Sequence, residues 1–152
     1  MNKIALFPGS FDPFTKGHES IVNQSLDIFD EIIIGIGLNT EKTYLFDLDK
    51  RMKQIQEIFK NQDRVSVSSY SGLTTDFCQS GNASHIVRGL RNTVDFEYEK
   101  SIAHVNRSMS EIHTLFLLTE ENLSSLSSSV VREIHKNGGD ISLFVTQHNI
   151  LV

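Results

Sequence analysis

Lys3-Ile4-Ala5-Leu6-Phe7-Pro8-Gly9-Ser10-Phe11-Asp12-Pro13-Phe14-Thr15-Lys16-Gly17-His18 reads as one unit: a short apolar strand, a turn and the start of a helix. The strand spans Lys3 to Phe7 and ends at Pro8-Gly9. Glycine lets the backbone approach a ligand closely, and Pro13 shapes the bend that follows. A helix opening near Gly17-His18 presents unpaired N–H groups and the positive end of its dipole, both of which favour an anion. His18 can donate to a phosphate oxygen there, and Ser10 can add a second hydrogen bond. Pro8 and Pro13 are the only prolines in the chain, so the sharp bend between them is not repeated elsewhere.

Outward from this unit, strands and helices alternate. Val22, Leu26 and Phe29 fall at helical spacing between Gly17 and Asp30. Ile32 to Leu38 is nearly continuous and β-branched, as expected of a strand buried on both faces. Leu48, Met52, Ile55 and Phe59 mark an amphipathic helix. Arg64 to Tyr70 alternates as a strand, Leu73 to Gln79 suits a short helix, and Ser84 to Val87 a further strand. Val94, Tyr98, Ile102, Val105 and Met109 mark a longer helix, His113 to Leu118 a strand, and Val130 to Lys136 a last helix stopped by Gly138-Gly139. Such alternation implies an α/β fold: a doubly wound sheet of about five parallel strands with helices on both faces. Ligands of such sheets gather beyond the carboxyl ends of the strands. That rule nominates Pro8 to His18, Asn39 to Thr43, Arg88 to Arg91 and Thr119 to Ser129. Neither a repeat nor a boundary interrupts the chain, so residues 1–152 are expected to form one domain.

Composition narrows the function. The 152 residues are 39% hydrophobic and 22% charged, enough to bury a core and unlike collagenous or disordered chains. With 14 Lys+Arg against 19 Asp+Glu, the formal charge is −5. This acidity excludes a general nucleic-acid or anionic-membrane binder, while leaving room for a small anion held by local cations. Cys78 stands alone, so no internal disulfide forms and a cytoplasmic location is expected. No apolar run approaches the roughly 20 residues of a membrane span, and the apolar N-terminal stretch is too short for a signal peptide.

Thr15-Lys16-Gly17-His18 resembles the T/H-x-G-H signature of nucleotidylyltransferases. Arg88-Gly89-Leu90-Arg91 followed by Asp95-Phe96-Glu97-Tyr98-Glu99 is similar to the R-G-L-R and D-F-E-Y-E blocks of the bacterial phosphopantetheine adenylyltransferases. Leu126-Ser127-Ser128-Ser129 resembles that family's I-S-S-S at the start of a late helix. The motifs lie in order along almost the whole chain. The resemblance implies a Rossmann-like nucleotidylyltransferase domain that transfers AMP from ATP to 4′-phosphopantetheine, giving dephospho-coenzyme A and pyrophosphate. It places His18, Ser10, Lys42 and Arg91 at the reacting phosphates. It assigns ATP to Ser10, Phe11, His18, Gly89, Leu90, Arg91 and Glu99, together with Leu123, Ser124, Ser125, Leu126, Ser127, Ser128 and Ser129. It assigns the acceptor to Ser10, Lys42, Thr74 and Arg88. Mg2+ carried on ATP, feedback inhibition by coenzyme A and a homohexamer are also implied, with no metal ligand from the protein.

The chain departs from the family pattern at two positions. Leu123 stands where an aromatic or bulky residue is expected, and Thr74 where an apolar one is often found. A cytidylyltransferase, a nicotinamide-mononucleotide adenylyltransferase and a non-catalytic nucleotide-binding module remain alternatives. The first two tend to carry histidine in place of Thr15 and a different late serine/threonine motif. The last has no need of Ser10, His18, Lys42 and Arg91 together. Gly35-Ile36-Gly37 begins like a dinucleotide fingerprint but lacks the third glycine. His85, His104, His113, His135 and His148 share no metal-ligand spacing, and Cys78 reads as a small core residue.

Overall fold

The computed structural model describes every residue from Met1 to Val152. Its strands are β1 (Ile4–Gly9), β2 (Glu31–Gly37), β3 (Val65–Tyr70), β4 (His85–Leu90) and β5 (His113–Leu118). Between and after them come α1 (Lys16–Ser25), α2 (Leu48–Ile58), α3 (Thr74–Ser80), α4 (Thr93–Ser110) and α5 (Ser128–Lys136). The five strands pair in parallel in the order β3-β2-β1-β4-β5, the doubly wound arrangement expected from the alternation. No helix is long and apolar enough to cross a membrane.

Period-two alternation explains the apolar run of β2. Ile32, Ile34 and Ile36 join Ala5, Phe7 and Val87 in one core, closed by Ile21 and Val22 of α1 and Ile55 of α2. Ile33 points the opposite way with Ile4, Leu6 and Ile86, toward Phe77 and Cys78 of α3. Each fully buried isoleucine contributes about 1.5–3 kcal/mol relative to an exposed one. Phe46, Val131, Ile141, Val145 and Leu151 form a third cluster that fastens α5 and the following segment to the loop before α2. Cys78 lies inside the second cluster, and burial pushes its thiol up to about 11.

The register of β1 locates the opening in the sheet. It runs beside β2 from Ile4↔Glu31 to Gly9↔Ile36, but beside β4 only at Ala5↔His85 and Leu6↔Ile86. The two central strands therefore part beyond Leu6, at the point where strand order reverses. Pro8 and Gly9 continue β1 into this gap instead of ending the strand at Phe7. Proline is disfavoured within sheets because it cannot donate to a ladder. Here β4 has already parted from β1, so no ladder partner faces the missing N–H, and the carbonyl of Pro8 on the same side accepts from Arg88 Nη1.

Other elements differ in extent or facing: β4 runs to Leu90 rather than ending at Val87, so Arg88 and Gly89 lie within the strand and not beyond it. α1 stops at Ser25 rather than continuing to Asp30, and Arg64 Nη1 takes the freed carbonyls of Leu26 and Phe29 at 3.0 and 3.4 Å. α4 forms over its expected span, but Val94, Tyr98, Ile102, Val105 and Met109 all remain exposed, and Tyr98 and Ile102 border a cleft instead of joining the core. Only Glu99 of that helix is buried.

Candidate active site

The loop from β1 to α1 is held from several directions. Asp12, 3% exposed, accepts from the backbone N–H groups of Leu45 and Phe46 at 2.8 and 2.9 Å. Arg51 of α2 donates to the carbonyls of Ser10 and Phe46 at 2.7 and 2.9 Å. One turn on, Gln54 donates to the carbonyls of Phe14 and Thr146. From α5, Ser128 donates to Pro13 O and Arg132 to Asp12 O, at 2.8 and 2.9 Å. The Asp12–Pro13 peptide is cis, and Phe11 lies in the left-handed region at φ 47° with its ring beneath Gly9. A Cβ at Gly9 would meet that ring at 2.9 Å, so only glycine fits there.

This frame fixes His18 and its proton. Thr15 caps α1: its side chain accepts from His18 N–H, while its own N–H donates to His18 Nδ1 at 3.0 Å. An acceptor Nδ1 in a neutral ring leaves the proton on Nε2. The ring packs among Phe7, Phe11 and Phe14, with centroids 5.1 to 6.1 Å away. Burial first, then the positive charges of Arg88 and Arg91, push its pKa down to about 3. His18 is thus a neutral, pre-aimed hydrogen-bond donor, not a proton carrier near neutral pH.

Two clefts meet over the gap between β1 and β4. The first, about 340 Å3, is lined by Phe11, His18, Gly89, Arg91 and the start of α5, among others. The second, about 480 Å3, extends between the sheet and α4 and is lined by Tyr70, Thr74, Tyr98 and Asn106. They share an edge made of Pro8, Gly9, Ser10, Lys42, Arg88 and Glu99. Lys42 Nζ donates to Ser10 Oγ at 3.1 Å on this edge. Arg88 forms a bidentate pair with Glu99, at 2.9 and 2.6 Å, beside its bond to Pro8. Arg91 is similarly docked on Asp95, which also accepts its backbone N–H and whose carboxyl is held below the usual carboxylate range mainly by that hydrogen bond. Glycine is again necessary at Gly89, where a Cβ would lie 2.8 Å from Ile21 Cγ1.

Most residues nominated from sequence gather here. Ser10, Phe11, His18, Lys42, Arg88, Gly89, Arg91, Glu99 and the run Leu126 to Ser129 line the first cleft. Thr74 lines the second, its hydroxyl 2.8 Å from that of Tyr70. Leu90, Leu123, Ser124 and Ser125 line neither cleft. Leu90 is buried at the end of β4, and Ser124 Oγ is turned onto the carbonyl of Glu121. The serine run divides in function: Ser127 caps α5 by accepting from Val130 N–H, while Ser128 and Ser129 face the loop and Arg132. Arg132, Asp12 and Asp95 also line the first cleft without having been singled out. Helical spacing holds a signal for Arg132, since i, i+3 and i+4 place it on one face with Ser128 and Ser129.

Comparison with known proteins gives the family. Residues 6–134 match the family described as cytidylyltransferase-like. The phosphopantetheine adenylyltransferase of Flavobacterium psychrophilum is 54% identical over 143 residues, covering 94% of this chain and 95% of that protein. That of Flavobacterium johnsoniae is 51% identical, covering 93% of each. The fold is shared more widely: the structure of Plasmodium falciparum nicotinic acid mononucleotide adenylyltransferase complexed with NaAD superposes with a TM-score of 0.71 at 14% identity, covering 99% of this chain and 93% of that one. Identity above one half, spread over nearly the full length of both chains, makes this chain a member of the phosphopantetheine adenylyltransferase family.

Proposed function

We propose that this chain transfers AMP from ATP to 4′-phosphopantetheine, giving dephospho-coenzyme A and pyrophosphate. The observation that carries this reading is the shared edge of the two clefts, where Ser10, Lys42 and Arg88 face both. A transferase needs its two substrates to touch at the reacting phosphorus, and two clefts with a common cationic edge meet that need.

The nucleotide occupies the first cleft and the acceptor's arm the second. The acceptor phosphate bridges Ser10, Lys42 and Arg88. One of its oxygens attacks the α-phosphorus, forming a P–O bond as the bond to pyrophosphate breaks. A phosphate monoester, with its second pKa near ~6, is already largely ionised, so no general base is required. Catalysis then rests on fixed donors at oxygens whose charge grows. His18 Nε2–H supplies one such donor, and Arg91, released from Asp95 onto phosphate, supplies another. Arg132 and the hydroxyls of Ser128 and Ser129 face the departing phosphates.

The chemistry of the lining bears on where Mg2+ would be held. Asp12, Asp95 and Glu99 already hold backbone N–H groups or guanidinium groups. The lining therefore favours phosphate over a bare cation, and Mg2+ would be held by the triphosphate of ATP, where it would shield charge. Coenzyme A shares the acceptor's arm and would inhibit by occupying the second cleft. Homohexamer formation is proposed on the exposed stripe of α4, because a contiguous apolar face is normally covered. Sedimentation equilibrium checks it, with the mass of six 17.2 kDa chains expected and that of one chain contradicting it. A cytoplasmic location is proposed on the buried, unpaired Cys78.

The decisive assay supplies ATP, Mg2+ and phosphopantetheine and measures pyrophosphate together with dephospho-coenzyme A. Stoichiometric release of both is expected. Turnover with nicotinamide mononucleotide or a cytidylyl substrate instead would move the assignment elsewhere among the nucleotidylyltransferases.

A further inference from the structure

Lys42 sits in an exposed loop between Asn39 and Thr43 that belongs to no helix or strand. A lysine carries a point charge on a flexible four-carbon stem and needs something to hold its direction. In this loop the neighbour is Tyr44. Lys42 Nζ lies 5.6 Å from the centroid of its ring, and Arg51 Cζ lies 4.2 Å from the same centroid. These two cations also flank Ser10: Lys42 donates to its hydroxyl at 3.1 Å, and Arg51 to its carbonyl at 2.7 Å. The phenol hydroxyl accepts from Asn39 N–H at 3.1 Å and donates to the carbonyl of Gly37 at 3.5 Å, tying the loop back to the end of β2. Tyr44 also lines the second cleft.

We infer that Tyr44 is a positioning residue for the acceptor phosphate, setting the direction of Lys42 and the seat of Ser10 through one aromatic ring that contacts both Lys42 and Arg51. This inference rests on the proposed acceptor site. The electron-rich ring holds Arg51 fixed against the buried loop, and exposed Lys42 reaches the same ring. The hydroxyl keeps the loop short enough for Nζ to reach Ser10. Ring and hydroxyl therefore make separable contributions.

Tyr44→Leu removes both contributions, and Tyr44→Phe removes the hydroxyl alone. The Leu variant is expected to raise the acceptor KM about tenfold, the scale of a partly desolvated cation–π contact, with the ATP KM within about twofold. The Phe variant is expected near threefold; a purely space-filling role would instead leave it at the unsubstituted value, because Phe occupies the same volume as the Tyr ring. Residues that act as a unit are non-additive, so Tyr44→Leu placed on Lys42→Met should add little further loss. An unchanged acceptor KM in the Leu variant would overturn the inference. So would both KM values and the thermal midpoint moving together, or a full multiplicative loss on the Lys42→Met background. Failure of the unsubstituted protein to make dephospho-coenzyme A would instead overturn the function reading. Calorimetric binding of inorganic phosphate then tests Tyr44 independently: weaker binding by the Leu variant supports the role and equal binding refutes it.

Discussion

Two loops bring polar and cationic groups to the same edge, and they are held in opposite ways. The loop after β1 carries Ser10, leads into His18 in the first turn of α1, and is fixed by groups reaching in from α2, β4 and α5, of which Arg51 and Gln54 are fully buried. In the loop after β2, the stretch from Asn39 to Thr43 carries Lys42, is exposed, and is tied down by the Tyr44 hydroxyl, a local turn on Asn39 and one bond to Ser10, while Leu45 and Phe46 beyond it are anchored on Asp12. The difference follows from the chemistry each loop supplies. A neutral imidazole must be desolvated and its tautomer fixed, which needs a dry, over-determined surround. An ammonium loses solvation when buried, so it works best from a wet loop that orders only partly before substrate arrives.

The sharpest break of this comparison is His18→Ala. Removing one pre-aimed donor to developing charge typically lowers kcat by about 10²–10³. That loss is expected together with a fall of a few degrees at most in the thermal midpoint, since Thr15 N–H loses its acceptor, measured by steady-state turnover and calorimetry. Near-normal turnover would take His18 out of the mechanism. Arg51→Met strikes the support instead of the donor. Arg51 is 2% exposed, and its loss strands the carbonyls of Ser10 and Phe46. A cost of about 3 kcal/mol is expected, read as a fall of roughly 6–12 °C in the midpoint. Lys42→Met on the exposed loop should change stability by no more than about 0.5 kcal/mol. Equal thermal losses in these two variants would erase the contrast.

Arg88 stands between the regimes, since it touches both clefts and closes the gap between β1 and β4. Arg88→Met should raise the acceptor KM by about tenfold or more, the scale of losing a charge-assisted bond. It also leaves the carboxylate of Glu99, 8% exposed, without its partner. Adding Glu99→Gln should therefore restore thermal stability without restoring acceptor affinity. Recovery of both would mean that Arg88 serves the fold and not the substrate.

The alternation of apolar periods was sufficient to place the parallel sheet, and the rule for carboxyl ends of strands pointed to the loops that form the clefts. What holds those loops was not legible. Arg51 and Gln54 lie among the polar positions of a helix marked by Leu48, Met52, Ile55 and Phe59, and a charged residue there reads as solvated by default. They are buried because the first loop folds over α2 and supplies carbonyls to them, a tertiary fact with no local pattern. Pro8 reads as a strand terminator because the separation of β1 from β4 cannot be seen from one strand. In α4 the periodicity of Val94 to Met109 marks the helix correctly but does not say that the apolar stripe faces outward. Arg132 was within reach, one helical turn beyond the serine run.

The smallest expected effect tests the dry side of the comparison through pH. His18 is lowered to about 3, so between that value and its usual range near ~6.5 the unfolded chain binds a proton that the folded chain refuses. Stability from keeping His18 neutral is present above about pH 6.5 and is lost progressively as pH falls toward 3. His85, lowered mainly by burial with help from His113 and Lys3, adds a slope of the same sign, so the total slope alone does not identify His18. The difference between the unsubstituted protein and His18→Gln does. Glutamine retains a donor but does not titrate, while His85 remains in both. Thermal midpoints measured without nucleotide from pH 7 to pH 5 should fall more steeply in the unsubstituted protein. Parallel curves would mean that the aromatic surround does not keep His18 neutral, and the first loop would lose the property that sets it apart from the second.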